Sequence, residues 1–435
     1  MDLTSHSLTD ITLVTMIAVF CGIFLERLKQ PAIVGYIVAG IVLGPTGFGF
    51  ISNSENVQAL AELGIILLLF IIGMELSFKS FMSVIKIAIS CVVIQLVASL
   101  LICYVLGKIV DWTGEETILF GFILMLSSTA VAIKMLDELG HLKDPIGQIT
   151  VGILVAQDLA LVPMLLMAGS LSHGGEITMM VWIKILIAII FLIALVMFLS
   201  KREKLTLPFS KWLKGNGDMP PLIALAICFS AATLSGLLGL SSAYGAFLAG
   251  LIIANSTERD ILMKVTHPIH SVLLVVFFLS IGLMIDLGFI FKNFHAVFLF
   301  LLTAVSIKTV LNIAALRMLG QSWENAFPAG LVMAQLGEFA FLLTSIGFKG
   351  KILDDYDYNL AISVIALSLL LSPLWLLTVR RFHGLASQGI TSARGIVLGL
   401  YQGEIKSVSD FYHNIRSKID SLSKKTDQTD ERTKN

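Results

Sequence analysis

A chain of 435 residues that is 56% hydrophobic and only 14% charged is not a soluble globular protein, where about a quarter of residues are Asp, Glu, Lys or Arg. With 30 Lys+Arg against 30 Asp+Glu the formal charge is zero, which leaves no basic surface for nucleic acid. Cys21, Cys91, Cys103 and Cys228 stand singly in apolar runs, without the spacing of a zinc site or a disulfide framework.

A mean hydropathy of +0.90 and 35 glycines instead fit a bundle of membrane helices that approach closely through small side chains. A helix needs roughly 20 apolar residues to cross the hydrocarbon core, fewer if it is broken or buried among others. By that measure the sequence predicts an all-α membrane protein with 13 transmembrane helices. They run over about Leu8–Leu25, Pro31–Leu43, Leu60–Leu76, Val84–Ile109, Ile118–Met135, Ile149–Ala168 and Met180–Leu199. The remainder are Pro221–Leu238, Ala243–Asn255, Pro268–Ile285, Phe294–Leu319, Ala326–Phe348 and Asn359–Val379. The first run follows an acidic start and has no clean small-residue cleavage site, so it reads as a helix and not a signal peptide.

The loops orient these spans, because Lys and Arg concentrate on the cytoplasmic side. With the N-terminus outside, most of the basic residues fall in the cytoplasm, including Lys201–Lys214 and everything after Val379. Lys108, Lys292, Lys349 and Lys351 fall outside, and Lys134, Lys184 and Lys308 lie within helices. The expected C-terminus is cytoplasmic.

The chain also repeats itself. GYIVAGIVLG from Gly35 aligns with GAFLAGLIIA from Gly245 at an offset of 210 residues. LLLFIIGMEL from Leu67 matches VFFLSIGLMI from Val276, and GFILMLSSTAVAI from Gly121 matches GLVMAQLGEFAFL from Gly330, both at 209. Glycine-rich helices resemble one another by composition, but composition does not hold three matches to within one residue of the same offset. Matched spans lie an odd number of helices apart, so the copies point in opposite directions, the plan of secondary transporters. Helices 1–6 and 8–13 are the expected inverted halves.

An ionised side chain at the middle of a membrane helix costs on the order of 2.5–3.5 kcal/mol on the insertion scale, so each needs a reason. Asp158, with Gln157 beside it, lies halfway along helix 6 in GILVAQDLALVPML. A carboxylate beside a carboxamide offers several hard oxygen ligands to an alkali cation, and the same carboxylate can take a proton. The competing structural reading is a carboxylate neutralised by Lys308 of helix 11. Lys308 reads two ways: as the counter-ion of Asp158 or Glu338, or as the occupant of the site when the cation is absent. Ser127, Ser128 and Thr129 in helix 5 match the region around Glu338 in helix 12. Broken helices at those two places would turn backbone carbonyls and helix ends toward an ion. Glu62 and Glu75, near the ends of helix 3, read as snorkelling or capping residues. His267 and His270 in HPIH begin helix 10 and lack the further ligands of a metal site.

QPAIVGYIVAGIVLGP, LAELGIILLLFIIGMEL, SSTAVAI, AQDLALVPML, AYGAFLAGLIIANS, FFLSIGLMIDL and QLGEFAFLL together resemble the membrane domain of the Kef-type proteins of the monovalent cation:proton antiporter-2 family. The resemblance covers about Leu8 to Arg381. It implies a sodium/proton antiporter-like fold within a transmembrane domain of residues 1–382. Scaffold helices of about 8–76 and 221–285 would form a homodimer, and core helices of about 84–168 and 294–379 would carry the ion, with helices 5 and 12 unwound and crossing. Asp158 would bind a monovalent cation, K+ or Na+, and H+ in turn. Gln157, Ser128 and Thr129 would stand beside it, and Lys308 and Glu338 would be its charge partners. No other cofactor is implied. The setting would be the lipid bilayer of a bacterial inner membrane.

Kef-type proteins usually carry a large cytoplasmic nucleotide-binding domain, whereas here about 54 residues follow Arg381 and no GxGxxG strand-turn-helix unit appears. In residues 383–435, Ile405, Val408, Phe411, Ile415, Ile419 and Leu422 fall at helical spacing ahead of a polar end from Ser423, which predicts an amphipathic cytoplasmic helix and a disordered end. The short architecture is also similar to a magnetosome-associated member once linked to iron transport. The expected function is a proton-coupled monovalent-cation antiporter and not an enzyme. The rivals are a gated K+ channel, a proton-coupled iron transporter and a membrane scaffold or sensor.

Overall fold

The computed structural model describes residues 16–17, 19–24, 27, 32–49, 55–75, 78–138, 141–142, 144–171, 179–201, 204–208, 219–238 and 241–387. The tail helix expected at Ile405–Leu422 and the start of the first span lie outside these residues. The chain divides between Ser372 and Pro373 into two compact units, and the first holds all the packing described below.

The described residues fold almost entirely as helices. In chain order they are α1 Ala32–Leu43, α2 Glu55–Glu75, α3 Phe78–Val110, α4 Gly114–Met125, α5 Thr129–Glu138, α6 Pro145–Leu171 and α7 Met179–Lys201. Then come α8 Met219–Leu237, α9 Ser242–Ala254, α10 Arg259–Met284, α11 Leu287–Lys292, α12 Phe294–Met318, α13 Trp323–Val332, α14 Phe339–Lys349 and α15 Asp355–Ser387. Helical residues 19–24 precede them. Among the described residues five helices are long and apolar enough to cross a membrane unaided: α3 from Phe81, α6, α8, α10 and α12. Others are short because the chain breaks. The span expected at Ile118–Met135 is two helices, α4 and α5, and that expected at Ala326–Phe348 is α13 and α14.

Side-chain hydrogen bonds account for several of the boundaries. Thr113 opens α4 with a capping box: its hydroxyl accepts from the Glu116 N–H at 3.2 Å, and Glu116 accepts from the Thr113 N–H at 2.6 Å. Asp286 starts the unexpected short helix α11 by accepting from the Phe289 N–H at 3.1 Å. One expectation is corrected here: His267 and His270 do not begin a helix. Pro268 resembles a start signal because proline costs no hydrogen bond at the first helical position, yet α10 begins at Arg259 and carries Pro268 inside. Arg259 anchors that earlier start by donating to the carbonyls of Met74 and Glu75 at 2.8 and 3.2 Å, which satisfies the end of α2.

The helices pack in two groups. α1, α2, α8, α9 and α10 form one, with α2 against both α9 and α10. α3, α4, α6 and α12 to α14 form the other. Two crossings in the first group need glycine. A Cβ on Gly40 of α1 would stand 2.7 Å from Gly282 Cα of α10, and one on Gly73 of α2 would stand 3.0 Å from Gly250 Cα of α9. Backbones in such contact gain dispersion energy that a bilayer cannot supply through the hydrophobic effect.

At the start of α15, burial together with the nearby Asp354 and Glu116 carboxylates pushes the half-buried Asp357 carboxyl up to about 6 from its ordinary 3.8. A carboxyl raised on folding stabilises the fold least once pH exceeds the raised value, where the charge must be held against its neighbours. Asp357→Asn should therefore raise the melting temperature of the detergent-purified protein at pH 8, with the gain shrinking as pH falls toward 4.

Candidate ion-binding site at two broken helices

Leu126–Ser128 separates α4 from α5, and residues 333–338 separate α13 from α14. The interruptions meet: Ser127 and Leu336 form an antiparallel bridge, and the Gly337 N–H donates to the Leu126 carbonyl at 3.1 Å. Gly337 is required there, because a Cβ would lie 2.8 Å from the Ser127 carbonyl oxygen and 2.9 Å from its carbon.

A helix that stops inside a protein leaves carbonyls without intrahelical partners. For α4 the partner is Lys308, only 2% exposed. Its ammonium donates to the carbonyls of Leu124, Met125 and Leu126 at 2.8, 3.1 and 2.9 Å. All three donors of the lysine are thereby occupied, and its charge sits at the negative end of the α4 dipole. This corrects the assignment of Lys308 as charge partner of Asp158 or Glu338. Among the described residues the ion pairs within 4.0 Å are His141–Asp144 and Lys349–Glu62, and neither includes it.

Asp158, on α6 and 4% exposed, faces the same break. Thr129, the first residue of α5, donates its hydroxyl to Asp158 Oδ2 at 3.2 Å. The other carboxylate oxygen takes no hydrogen bond among the described residues. Ser128 holds the start of α5: its hydroxyl accepts from the Val131 N–H at 3.4 Å, and its carbonyl accepts from Gln335 Nε2 at 3.3 Å. Glu338 stands at the start of α14, buried, with Oε2 unpartnered. It and Glu75 lie near enough to Asp158 for their charges to act on it.

Gln157 is placed differently from a free ligand. Its Oε1 accepts from the Ser127 N–H at 3.0 Å, and its Nε2 donates to Gln95 Oε1 at 2.9 Å. Gln95 and Asn312 are polar residues the sequence reading passed over. Each is a lone carboxamide in an apolar helix, Gln95 in CVVIQLVASL and Asn312 one turn beyond Lys308. Their isolation was the available signal, since intramembrane polar groups bond across helices. The His267 and His270 rings lie 6.0 Å apart in a T-shape, and among the described residues no three of His, Cys, Asp and Glu gather as a metal site.

The sequence matches the model of the family described as sodium/hydrogen exchanger, transmembrane, over residues 15–379. The chain belongs to that family. It is a cation:proton antiporter domain and an integral, multi-pass membrane protein. It is 44% identical over 407 residues to a protein of Paramagnetospirillum magneticum named iron transporter MagA, with 94% of this chain and 93% of that one covered. It is 30% identical to K(+) efflux antiporter 5 of Arabidopsis thaliana, covering 84% and 65%, and 30% identical to the putative cation/proton antiporter YbaL of Escherichia coli, covering 82% and 66%. The chain thus spans about two thirds of the length of these last two. Among solved structures it resembles the sodium proton antiporter MjNhaP1 of Methanocaldococcus jannaschii at pH 8, with a TM-score of 0.62 and 16% identity over 86% of this chain and 97% of that one. That likeness shows the fold: a sodium/proton antiporter fold.

Replacing Lys308 with methionine keeps the apolar stem and strands three buried carbonyls, each costing about 1–3 kcal/mol. Lys308→Met should lower the melting temperature of the purified protein by many degrees, and Lys308→Gln, which retains two donors, by less.

Proposed function

We propose that this chain exchanges a monovalent cation, K+ or Na+, for protons by alternating access, with Asp158 holding the cation and the proton in turn. The observation that carries the reading is Asp158 itself: a buried carboxylate at a helix break, one oxygen held by Thr129 and the other free of hydrogen bonds among the described residues. Thr129 and Ser128 stand beside it, Gln157 supports it, and Glu338 lies close. A carboxylate with hydroxyl oxygens is a hard donor set, suited to an alkali cation. With the uncharged Gln157 and not an acid beside Asp158, one carboxylate trades one proton for one cation, an exchange that moves no net charge.

Inverted repeats would supply the inward- and outward-facing states that alternating access needs, and several contacts support them. The Ser127–Leu336 bridge joins residues 209 apart, the offset of the sequence repeat, as a two-fold axis through the break would require. The same operation carries the Gly40–Gly282 contact onto Gly250–Gly73. In this reading the group around α1, α2 and α8–α10 is a dimeric scaffold, and the group around α3–α6 and α12–α14 is a core that moves against it. Lys349 of α14 and Glu62 of α2, 2.7 Å apart, bridge the two groups, and a cavity of about 210 Å³ lies beneath the bridge between Ser280 and Phe341. Such a bridge closes one face and must part when that face opens. The N-terminus would be outside and the C-terminus cytoplasmic, in a bacterial inner membrane.

Iron transport is the second reading, and the name of the 44% identical relative favours it. The donor set weighs against it, since among the described residues the break offers neither histidine nor thiolate to a transition metal. A gated channel would need a continuous pore lined by rings of ligands.

Asp158→Asn keeps the volume and removes the exchangeable charge. In everted vesicles loaded with a pH-sensitive dye, wild type should move protons when K+ or Na+ is added, Fe2+ should produce no such signal, and Asp158→Asn should lose the response while expressing and melting as wild type does. Full exchange in Asp158→Asn would place the site elsewhere.

A further inference from the structure

Hydrogen bonds around the break close into a ring. The Ser127 N–H donates to Gln157 Oε1 at 3.0 Å, Gln157 Nε2 to Gln95 Oε1 at 2.9 Å, and Gln95 Nε2 to Asn312 Oδ1 at 2.9 Å. Asn312 Nδ2 then donates to the Met333 carbonyl at 3.0 Å, and the Ser127 hydroxyl donates to that same carbonyl at 2.8 Å, which returns the path to its start. Gln95 is fully buried, and Gln157 and Asn312 are each 1% exposed.

The direction of this ring is forced. It begins at a backbone N–H, which only donates, and ends at a backbone carbonyl, which only accepts. Each of the three carboxamides between them therefore has one orientation that leaves no like atoms facing. The ring also joins parts far apart in sequence: α3 through Gln95, α6 through Gln157, α12 through Asn312, and both breaks through Ser127 and Met333. A buried network with every member paired fixes geometry, because any displacement strands a polar atom away from water.

We infer that Gln95 and Asn312 are positioning residues for cation binding, acting through Gln157 and Ser127 to hold Asp158 and Thr129 in register. Asp158 follows Gln157 on α6, and Thr129 stands two residues beyond Ser127, so the ring sets the separation of the oxygens that would meet the ion. Gln157 serves as a strut in this arrangement. The inference rests on the antiport reading above and adds to it the residues that determine affinity. The ring lies within the core group and need not break when that group moves, so its loss should weaken binding more than it slows turnover.

The test uses the full chain in proteoliposomes, with proton flux read against K+ and Na+ concentration. Gln95→Leu removes both hydrogen bonds of Gln95. It should raise the half-saturating cation concentration about tenfold, the equivalent of one lost hydrogen bond, with the maximal rate within about twofold of wild type. Gln95→Asn is too short and Asn312→Gln too long for the ring, so each should also raise half-saturation. The double variant Gln95→Asn/Asn312→Gln moves one methylene across the joint and should recover most of the loss. If Gln95→Leu fails to fold, the two amide-for-amide exchanges and their double variant make the same comparison. Unchanged half-saturation in folded variants, a fall in maximal rate alone, or a double variant no better than the worse single would overturn the positioning role. A wild type that moves no protons with either cation would overturn the antiport reading, and this inference with it; an active wild type with insensitive variants overturns this inference alone.

Discussion

A helix interrupted inside a membrane protein exposes backbone donors and acceptors that neither lipid nor water can satisfy, and the arrangement of the core follows from that demand. At the ends of α4 and α13, the orphaned carbonyls of Leu124 to Leu126 and Met333 are taken up by Lys308, Ser127 and Asn312. The Ser127 and Leu336 N–H groups are taken up by Gln157 and by Ser368 Oγ. The same interruptions leave Asp158 facing the end of a helix and not a continuous wall of side chains. The cost of breaking two helices is thus tied to the gathering of polar side chains at their junction.

Charge follows the same logic. An ammonium buried beside a carboxylate would neutralise it and compete with a cation for its oxygens. Lys308 instead gives its three protons to carbonyls, which leaves the Asp158 carboxylate to Thr129 and to whatever enters. A structural lysine and an exchangeable carboxylate can therefore occupy one small polar region without cancelling each other. Arg259 is a smaller instance of this chemistry, a cation on the last carbonyls of α2.

Much of this was legible in the sequence. The match of GFILMLSSTAVAI with GLVMAQLGEFAFL spans both breaks, and the isolated charges Asp158, Lys308 and Glu338 all lie at the junction or beside it. Hydropathy registers that a charge is out of place but not what it touches, so neither of the two readings of Lys308, carboxylate counter-ion or occupant of the empty site, included the backbone carbonyls that hold it. Gln95 and Asn312 escaped notice because an uncharged amide carries no charge that must be balanced, so only its isolation in an apolar helix marks it. Pro268 misled for a related reason: the residue permits a helix start but does not impose one, and the anchoring contact of Arg259 is with a segment nearly 200 positions away. Long-range hydrogen bonds of this kind have no local signature.

The central claim is that one carboxylate serves cation and proton in turn, and proton release on cation binding tests it without requiring transport. Purified protein in a weakly buffered detergent solution would be mixed with saturating K+ or Na+ while a pH indicator reports protons freed. The account predicts release of about one proton per protomer at a pH where the site is protonated, and none from Asp158→Asn. Cation binding that frees no proton, or release that persists in Asp158→Asn, would contradict it.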